Sequence, residues 1–136
     1  MAGLNASTGS KLVVLGGILS IAVADALSDS IGMHISEETV SDEHHTVWSA
    51  TLMTFLVKFV VGMSFAIPVI FLSLNTAMAV NIAWGVVLMT ALSVAIARMK
   101  DENPLASVLE HVSIALVVVA ITHFVGKLIS SVFGSI

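Results

Sequence analysis

The sequence contains no cysteine among its 136 residues, and only 10% of its residues are charged. The absence of cysteine excludes disulfides, thiolate metal sites and cysteine nucleophiles. The formal net charge is −4 and no basic patch is present, so nucleic-acid binding has no electrostatic basis. No Gly-rich phosphate loop and no HExxH-type metal helix occurs, and no nucleophile lies in a catalytic pattern. These absences argue against an enzyme and against a nucleic-acid-binding protein.

Apolar residues are what the chain has in excess. They make up 57% of the sequence, and the mean hydropathy is +1.07, which is typical of integral membrane proteins. We therefore predict an all-α membrane protein, a bundle of four transmembrane helices within residues 11–136, preceded by a disordered polar tail at residues 1–10. Apolar runs of membrane length predict spans at about 12–36, 47–74, 76–97 and 105–133.

Local signals support these boundaries. Trp48 is a typical interfacial anchor at the start of the second span, and Pro68 predicts a kink near its far end. Asn75 is the predicted cap of the third span, which follows the second after a very short turn. Asn103 and Pro104 are a typical cap and first residue of a new helix.

The first span has the most informative pattern. On an α-helix, residues four apart share a face, and small residues recur at that spacing; we call this set the small-residue ridge: Gly16, Ser20, Ala24, Ser28, Gly32 and Ser36. Such a ridge allows another helix backbone to approach closely. One residue further on, the same spacing gives a row of candidate ligands: Asp25, Asp29, Met33 and Glu37.

Carboxylates at membrane depth need an explanation, because each charge costs about 2.5–3.5 kcal/mol even on the lenient insertion scale. Carboxylates suit Mn²⁺ and Fe²⁺, and a thioether favours softer ions over Ca²⁺ or Mg²⁺. The row therefore predicts a divalent metal site at Asp25, Asp29, Met33 and Glu37. Repetition of this row across a homodimer would double the number of ligands.

Further polar residues fit the passage of a cation. We predict that acids and imidazoles of the first loop concentrate cations at the mouth of the site: Glu38, Asp42, Glu43, His44 and His45. Lys58, Glu110 and His111 are candidate proton or charge partners. Because a metal displaces protons from its ligands, proton-coupled exchange is a natural mechanism.

Two segments resemble the vacuolar iron transporter family. Ala24-Asp25-Ala26-Leu27-Ser28, followed by Gly32 and Ser36-Glu37, is similar to the family's second helix, which carries an Ala-Asp-Gly-Leu-Ser-Met-x-x-Gly-Glu-Tyr type motif. Pro104-Leu105 leading to Thr122-His123-Phe124-Val125-Gly126-Lys127-Leu128 is similar to its last helix. The resemblance implies Fe²⁺ or Mn²⁺ transport by a short form without the family's first helix. Asp29 lies where the family has Met, and Met33 where it has Glu.

Each candidate ligand also has a purely structural interpretation. Asp25 or Asp29 would pair with Lys58 and fix helix packing, and Met33 would fill space in the core. His44 and His45 would be solvated. On the fourth span, Glu110 would neutralise Arg98 or Lys100, and His111 would form a hydrogen bond with a carbonyl group.

The sequence therefore favours a divalent metal transporter, working as a homodimer in the lipid bilayer, with Fe²⁺ or Mn²⁺ as the transported ion and no tightly bound cofactor. The alternatives are a structural or accessory membrane subunit, which would use intramembrane charges for helix association, and a passive channel. Arg98 and Lys100 lie in one short loop, which favours a cytoplasmic side for loops 37–46 and 98–104. Both termini would then lie outside the cell membrane.

Overall fold

The computed structural model describes residues 1–40 and 43–133. Within these ranges the chain is helical and contains no strand, as predicted. The helices are α1 (Ala2–Thr8), α2 (Lys11–Glu38), α3 (His44–Ser64), α4 (Ala66–Phe71), α5 (Leu74–Met99) and α6 (Pro104–Phe133).

In the described part of the chain, four stretches are long and apolar enough to cross a membrane, which confirms the prediction of a multi-pass helical protein. They are Lys11–Glu38, His44–Phe71, Leu74–Met99 and Pro104–Phe133. The predicted spans agree with these bounds to within a few residues. Asn103 caps α6 as predicted, since its Oδ1 accepts a hydrogen bond from the backbone N–H of Leu105 at 3.0 Å. Because α5 begins at Leu74, however, its N-cap is Ser73 and not Asn75.

The second span is interrupted, and α3 and α4 are its two parts. Pro68 has no N–H group to donate to the carbonyl one turn earlier, so it disfavours a continuous helix here. Side chains of α5 bond to the groups around the break. Asn81 donates to the carbonyl oxygen of Phe65 at 3.0 Å, and the indole N–H of Trp84 donates to Ser64 Oγ at 2.9 Å.

The spans form two hairpins, because α2 packs along α3 and α5 packs along α6. The face of α2 that packs is a row of small and branched residues at four-residue spacing: Val14, Ile18, Ala22, Ala26 and Ser30. A Cβ added to Gly62 of α3 would lie 2.8 Å from the Cβ of Ala22, so glycine at this position lets the two backbones come close. The small-residue ridge is offset from this row by two residues, so it lies on the opposite face of α2 and is exposed.

The buried apolar core is small and lies at one end of the bundle. Its buried members are Val14, Ile18, Ala66, Val69 and Ala77, where α4 connects the two hairpins by packing against α2 and α5. At this end Lys11 also donates a hydrogen bond to the carbonyl oxygen of Ile70 at 2.9 Å.

The N-terminal residues differ from the prediction of a disordered tail. Residues 2–8 form α1, which packs mainly against α6 and also touches α2. Leu4 and Met1 pack against the buried core. The prediction was wrong because the local composition of residues 2–8 does not show their packing partners. Gly126 of α6 and Gly17 of α2 have no side chain, and α1 occupies the space that this leaves.

Candidate cation site

Two aspartates of α2 converge on one lysine of α3. Lys58 Nζ forms its closest ion pair with Asp29 and lies 3.6 Å from a carboxylate oxygen of Asp25. The three side chains are only about half-buried by the protein, with exposed fractions of 58% for Asp25, 41% for Asp29 and 46% for Lys58. We call these three residues the acid–lysine cluster.

The cluster lies at membrane depth. Lys58 is at the midpoint of the span His44–Phe71, and Asp25 is at the midpoint of the span Lys11–Glu38. One ammonium group balances one carboxylate, so with all three groups ionised the cluster has a formal charge of −1. An unbalanced charge in hydrocarbon is costly, and this one therefore calls for a proton or another cation.

Packing of α2 on α3 determines this geometry. Gly62 and Ala22 bring the two helices into close contact, and Lys58 lies one turn before Gly62. Asp25 and Asp29 are one turn apart, so their carboxylates lie above each other on one side of α2. The lysine side chain then reaches both carboxylates from the neighbouring helix.

The rest of the predicted ligand row contributes less. Met33 is 38% exposed and Glu37 is half-buried further along α2. Among residues 1–40 and 43–133, no three or more His, Asp or Glu side chains are grouped closely enough to hold a metal ion. A single protomer thus offers two carboxylates at mid-membrane, and they are already in contact with Lys58.

The predicted mouth residues lie around the turn between α2 and α3. Glu38, His44 and His45 are exposed, which agrees with the solvated interpretation of the two histidines. Glu43 is the N-cap residue of α3 and accepts a hydrogen bond from Thr46 Oγ1 at 3.2 Å. Asp42 lies outside the described residues.

A histidine of α2 completes the contact between α2 and α3. Thr51 Oγ1 donates to the carbonyl oxygen of Val47 at 2.7 Å, so its hydroxyl proton is engaged, and it accepts from His34 Nδ1 at 3.0 Å. The His34 ring also meets Trp48 edge-on, with ring centroids 4.9 Å apart. His34 is therefore held by packing.

His111 lies between α5 and α6, far from the acid–lysine cluster along the spans. Its Nδ1 is 3.1 Å from Ser93 Oγ and 3.3 Å from Ser107 Oγ. Because Ser93 gives its own proton to the carbonyl oxygen of Met89 at 2.7 Å, His111 Nδ1 donates to Ser93. The predicted bond to a carbonyl group is thus replaced by bonds to two hydroxyls.

Glu110 lies beside His111 at the rim of the same hairpin. Both line a cleft of about 450 Å³ that also contains Lys100 and Glu102. Among the described residues Glu110 has no ion pair with Arg98 or Lys100, since the ion pairs found there are those of Lys58. The predicted neutralisation of these basic residues by Glu110 is therefore absent.

A larger groove separates the two hairpins; we call it the central groove. Its volume is about 910 Å³, and its walls come from α3, α5 and α6, with Met1 and Ala2 at one end. Its polar lining residues are Lys58, Asn81 and Thr122. Asn81 is buried, and its Oδ1 has no hydrogen-bond partner. The sequence had shown Asn81 only as an isolated polar residue, because nothing in the spacing relates α5 to α3.

Comparison with protein families, with characterised proteins and with solved structures found no match to this chain. The resemblance to vacuolar iron transporters thus depends on the short motifs in α2 and α6 alone.

Proposed function

We propose that this protein transports a divalent cation, Fe²⁺ or Mn²⁺, across a membrane, and that Asp25 and Asp29 bind the ion in transit. The motifs shared with vacuolar iron transporters support this choice of ion. Carboxylate oxygens are suitable ligands for both metals.

The main support for the proposal is that the acid–lysine cluster has two acidic groups and only one basic group. An ion pair that served only to fix α2 against α3 would need one aspartate. Here two aspartates contact one lysine, and the surplus negative charge lies half-exposed in the middle of the span. Such an arrangement is expensive in a membrane protein, and intramembrane ionisable groups commonly mark ion or proton pathways.

The cluster has two electrically neutral states, and they differ in what is bound. Without metal, a proton on one aspartate brings the charge to zero while Lys58 keeps its ammonium proton. With a divalent cation between both carboxylates, the charge is zero only if Lys58 is deprotonated. Exchange of one metal ion for two protons therefore connects the two neutral states, which gives a physical basis for proton coupling.

We propose that the working form is a homodimer. The small-residue ridge of α2 is exposed, and a Cβ added to Gly16 or Gly32 would meet nothing within 4 Å. A smooth ridge of this kind favours close contact with a second transmembrane helix. A dimer formed through it would also bring two acid–lysine clusters to neighbouring positions and supply ligands that one protomer lacks.

Uptake of ⁵⁴Mn²⁺ into proteoliposomes tests the transport proposal. The unsubstituted protein is compared with Asp25→Asn and Asp29→Asn, which keep the shape of the side chain and remove its charge. We expect both variants to lose most of the flux. Uptake by the unsubstituted protein should be faster when the vesicle lumen is more acidic than the outside, because protons then leave as the metal ion enters. A matched control is Asp101→Asn, the same change at an exposed acid in the loop between α5 and α6. Equal flux in all of these proteins would remove the transport proposal.

A second candidate is a structural or accessory subunit. The observation that favours it is that Lys58 is paired within one protomer, as expected if the charges fix helix packing. Under this interpretation Asp25→Asn and Asp29→Asn would change the oligomeric state or partner binding without any effect on cation flux. The uptake measurement and a size measurement on the same variants distinguish the two functions.

For location, we propose the cell membrane, with loops 37–46 and 98–104 on the cytoplasmic side. The supporting feature is the pair of basic residues Arg98 and Lys100 in the loop between α5 and α6. Labelling of Asp101→Cys in sealed right-side-out vesicles tests this orientation. Protection from an impermeant reagent is expected, and labelling without lysis would reverse the topology.

A further inference from the structure

The N-terminal helix lies at one end of the central groove. Met1 and Ala2 line the same groove as Lys58 and Asn81. Gly3 of α1 contacts Thr122, which lies about three turns inside the end of α6. The helix α1 thus begins within the bundle and leads back to the start of α2.

The seat of α1 is a tight contact between two backbones. A Cβ added to Gly3 would lie 2.8 Å from the carbonyl oxygen of Thr122, and one added to Gly126 would collide with the backbone of Gly3. On the other side of α1, a Cβ on Gly17 would collide with the side chain of Leu4. A larger residue at Gly126 would therefore push α1 out of its place.

Outside this seat α1 has little to hold it in a helical conformation. It has seven residues, none of them fully buried, and isolated helices shorter than about 12–15 residues are marginal in water. It ends at Gly9 in a left-handed conformation with φ 58°. The next helix does not depend on it, because Ser10 Oγ accepts from the backbone N–H of Val13 and caps α2.

The closed arrangement leaves one polar group unsatisfied. Asn81 donates from Nδ2 to Met1 Sδ at 3.2 Å and to the carbonyl oxygen of Phe65, but its Oδ1 is buried without a partner. A buried acceptor without a donor is unfavourable. Departure of Met1 would open this oxygen to water, which offsets part of the packing that α1 loses when it leaves.

We propose that α1 is a plug for the central groove, and that its release opens a water-filled path from the end of the bundle near α1 to Asn81 and Lys58. The inference deepens the proposed function, on which it rests, because the path leads to the acid–lysine cluster. The plug unfolds when it leaves, since its helix is stable only while seated.

Thiol labelling tests the plug directly, and the absence of native cysteine removes any background. The reporter is Met78→Cys, a half-buried position on the groove. The probe is a membrane-impermeant cationic methanethiosulfonate, applied to proteoliposomes that contain the full chain. Gly126→Val displaces α1 from the α6 side, and Leu4→Ser weakens it on the α2 side. In both backgrounds we expect the labelling rate at Met78→Cys to rise about tenfold or more, as for opening of a low-stability segment.

Matched controls use similar changes elsewhere. Ala120→Val enlarges an exposed side chain elsewhere on α6, and Leu19→Ser removes an exposed leucine of α2. Neither should change the rate. A second reporter, Val80→Cys, lies on α5 outside the groove lining and should stay unlabelled in every background. An unchanged rate at Met78→Cys in both displacing variants, with native helicity, would overturn the proposal.

Hydrogen exchange on the unsubstituted chain covers the case in which both displacing variants fail to fold. Amides of residues 5–8 should exchange about 100-fold faster than those of residues 116–122, because α1 opens on its own. Equal protection would contradict the plug. The ⁵⁴Mn²⁺ uptake measurement tests transport separately. Faster labelling without ⁵⁴Mn²⁺ flux would support the plug and contradict the transport proposal. Flux with unchanged labelling would support transport and contradict the plug.

Discussion

The acid–lysine cluster gives its clearest prediction for the stability of a variant in which methionine replaces Lys58. Methionine keeps the length and the apolar stem of the lysine side chain and removes its charge. Asp25 and Asp29 then remain one turn apart without their partner, and the formal charge of the cluster changes from −1 to −2. The protein should become less stable at neutral pH.

The expected size of the effect follows from the surroundings of the cluster. Removing one partner of a fully buried ion pair costs about 3–5 kcal/mol, and a single charge at mid-membrane costs about 2.5–3.5 kcal/mol. The three side chains are roughly half-exposed from the protein, so we place the loss in free energy of unfolding at the lower end, about 2–3 kcal/mol.

The aspartate variant is predicted to behave in the opposite way. Asp25→Asn removes the surplus charge and leaves Lys58 paired with Asp29, so the cluster becomes neutral. We expect its free energy of unfolding to stay the same or to rise by up to about 1 kcal/mol. If these side chains only filled space, the free energy of unfolding would not fall in Lys58→Met while staying the same or rising in Asp25→Asn.

Reversible unfolding in bicelles, followed by circular dichroism, measures both effects. Lys58→Arg retains the charge and is the control for changes in side-chain shape. The charge balance assigned to the acid–lysine cluster would be contradicted if Lys58→Met were as stable as the unsubstituted protein at neutral pH. It would also be refuted if Asp25→Asn lost as much stability as Lys58→Met.

Two further predictions concern helix packing. Gly62→Leu should destabilise the protein by about 1–3 kcal/mol through overpacking, because a Cβ there would lie 2.8 Å from the Cβ of Ala22. Ala91→Leu, at an exposed position of α5, should be neutral in the same unfolding assay. Ser93→Ala should cost about 1 kcal/mol, since Ser93 is buried and accepts from His111 Nδ1. Loss of that bond would appear as a shifted His111 resonance in NMR spectra, and an unchanged resonance would contradict the assigned contact.

The span pattern was predictable from the sequence because each span is a local feature. Length, hydropathy and caps such as Asn103 depend on neighbouring residues, and so does the break that Pro68 favours. The packing face of α2 was less predictable. Two rows of small residues at four-residue spacing lie on opposite faces of this helix, and only the structure shows that Ala22 and Ala26 are buried whereas Ala24 and Ser28 are exposed.

Contacts between distant segments could not be read from spacing. The pairing of Lys58 with both aspartates was predicted in part, because Lys58 is a rare charge in its span, but the convergence of two acids on one amine depends on the register of α2 against α3. The seat of α1 depends on Gly126, far away in sequence. Its local composition gave the wrong prediction of a disordered tail, because a short helix gains its stability from packing.

Asp25 and Asp29 together carry one more charge than Lys58 balances, and we propose that both carboxylates bind a divalent cation. Mn²⁺ binding to the purified protein, followed by electron paramagnetic resonance, tests this claim most directly because free and bound Mn²⁺ give different signal amplitudes. The account predicts binding by the unsubstituted protein, loss of binding in Asp25→Asn/Asp29→Asn, and at least about tenfold tighter binding, or ~1.4 kcal/mol, in Lys58→Met, where the competing ammonium is gone. Equal Mn²⁺ affinity in all three proteins, or no binding in any of them, would contradict it.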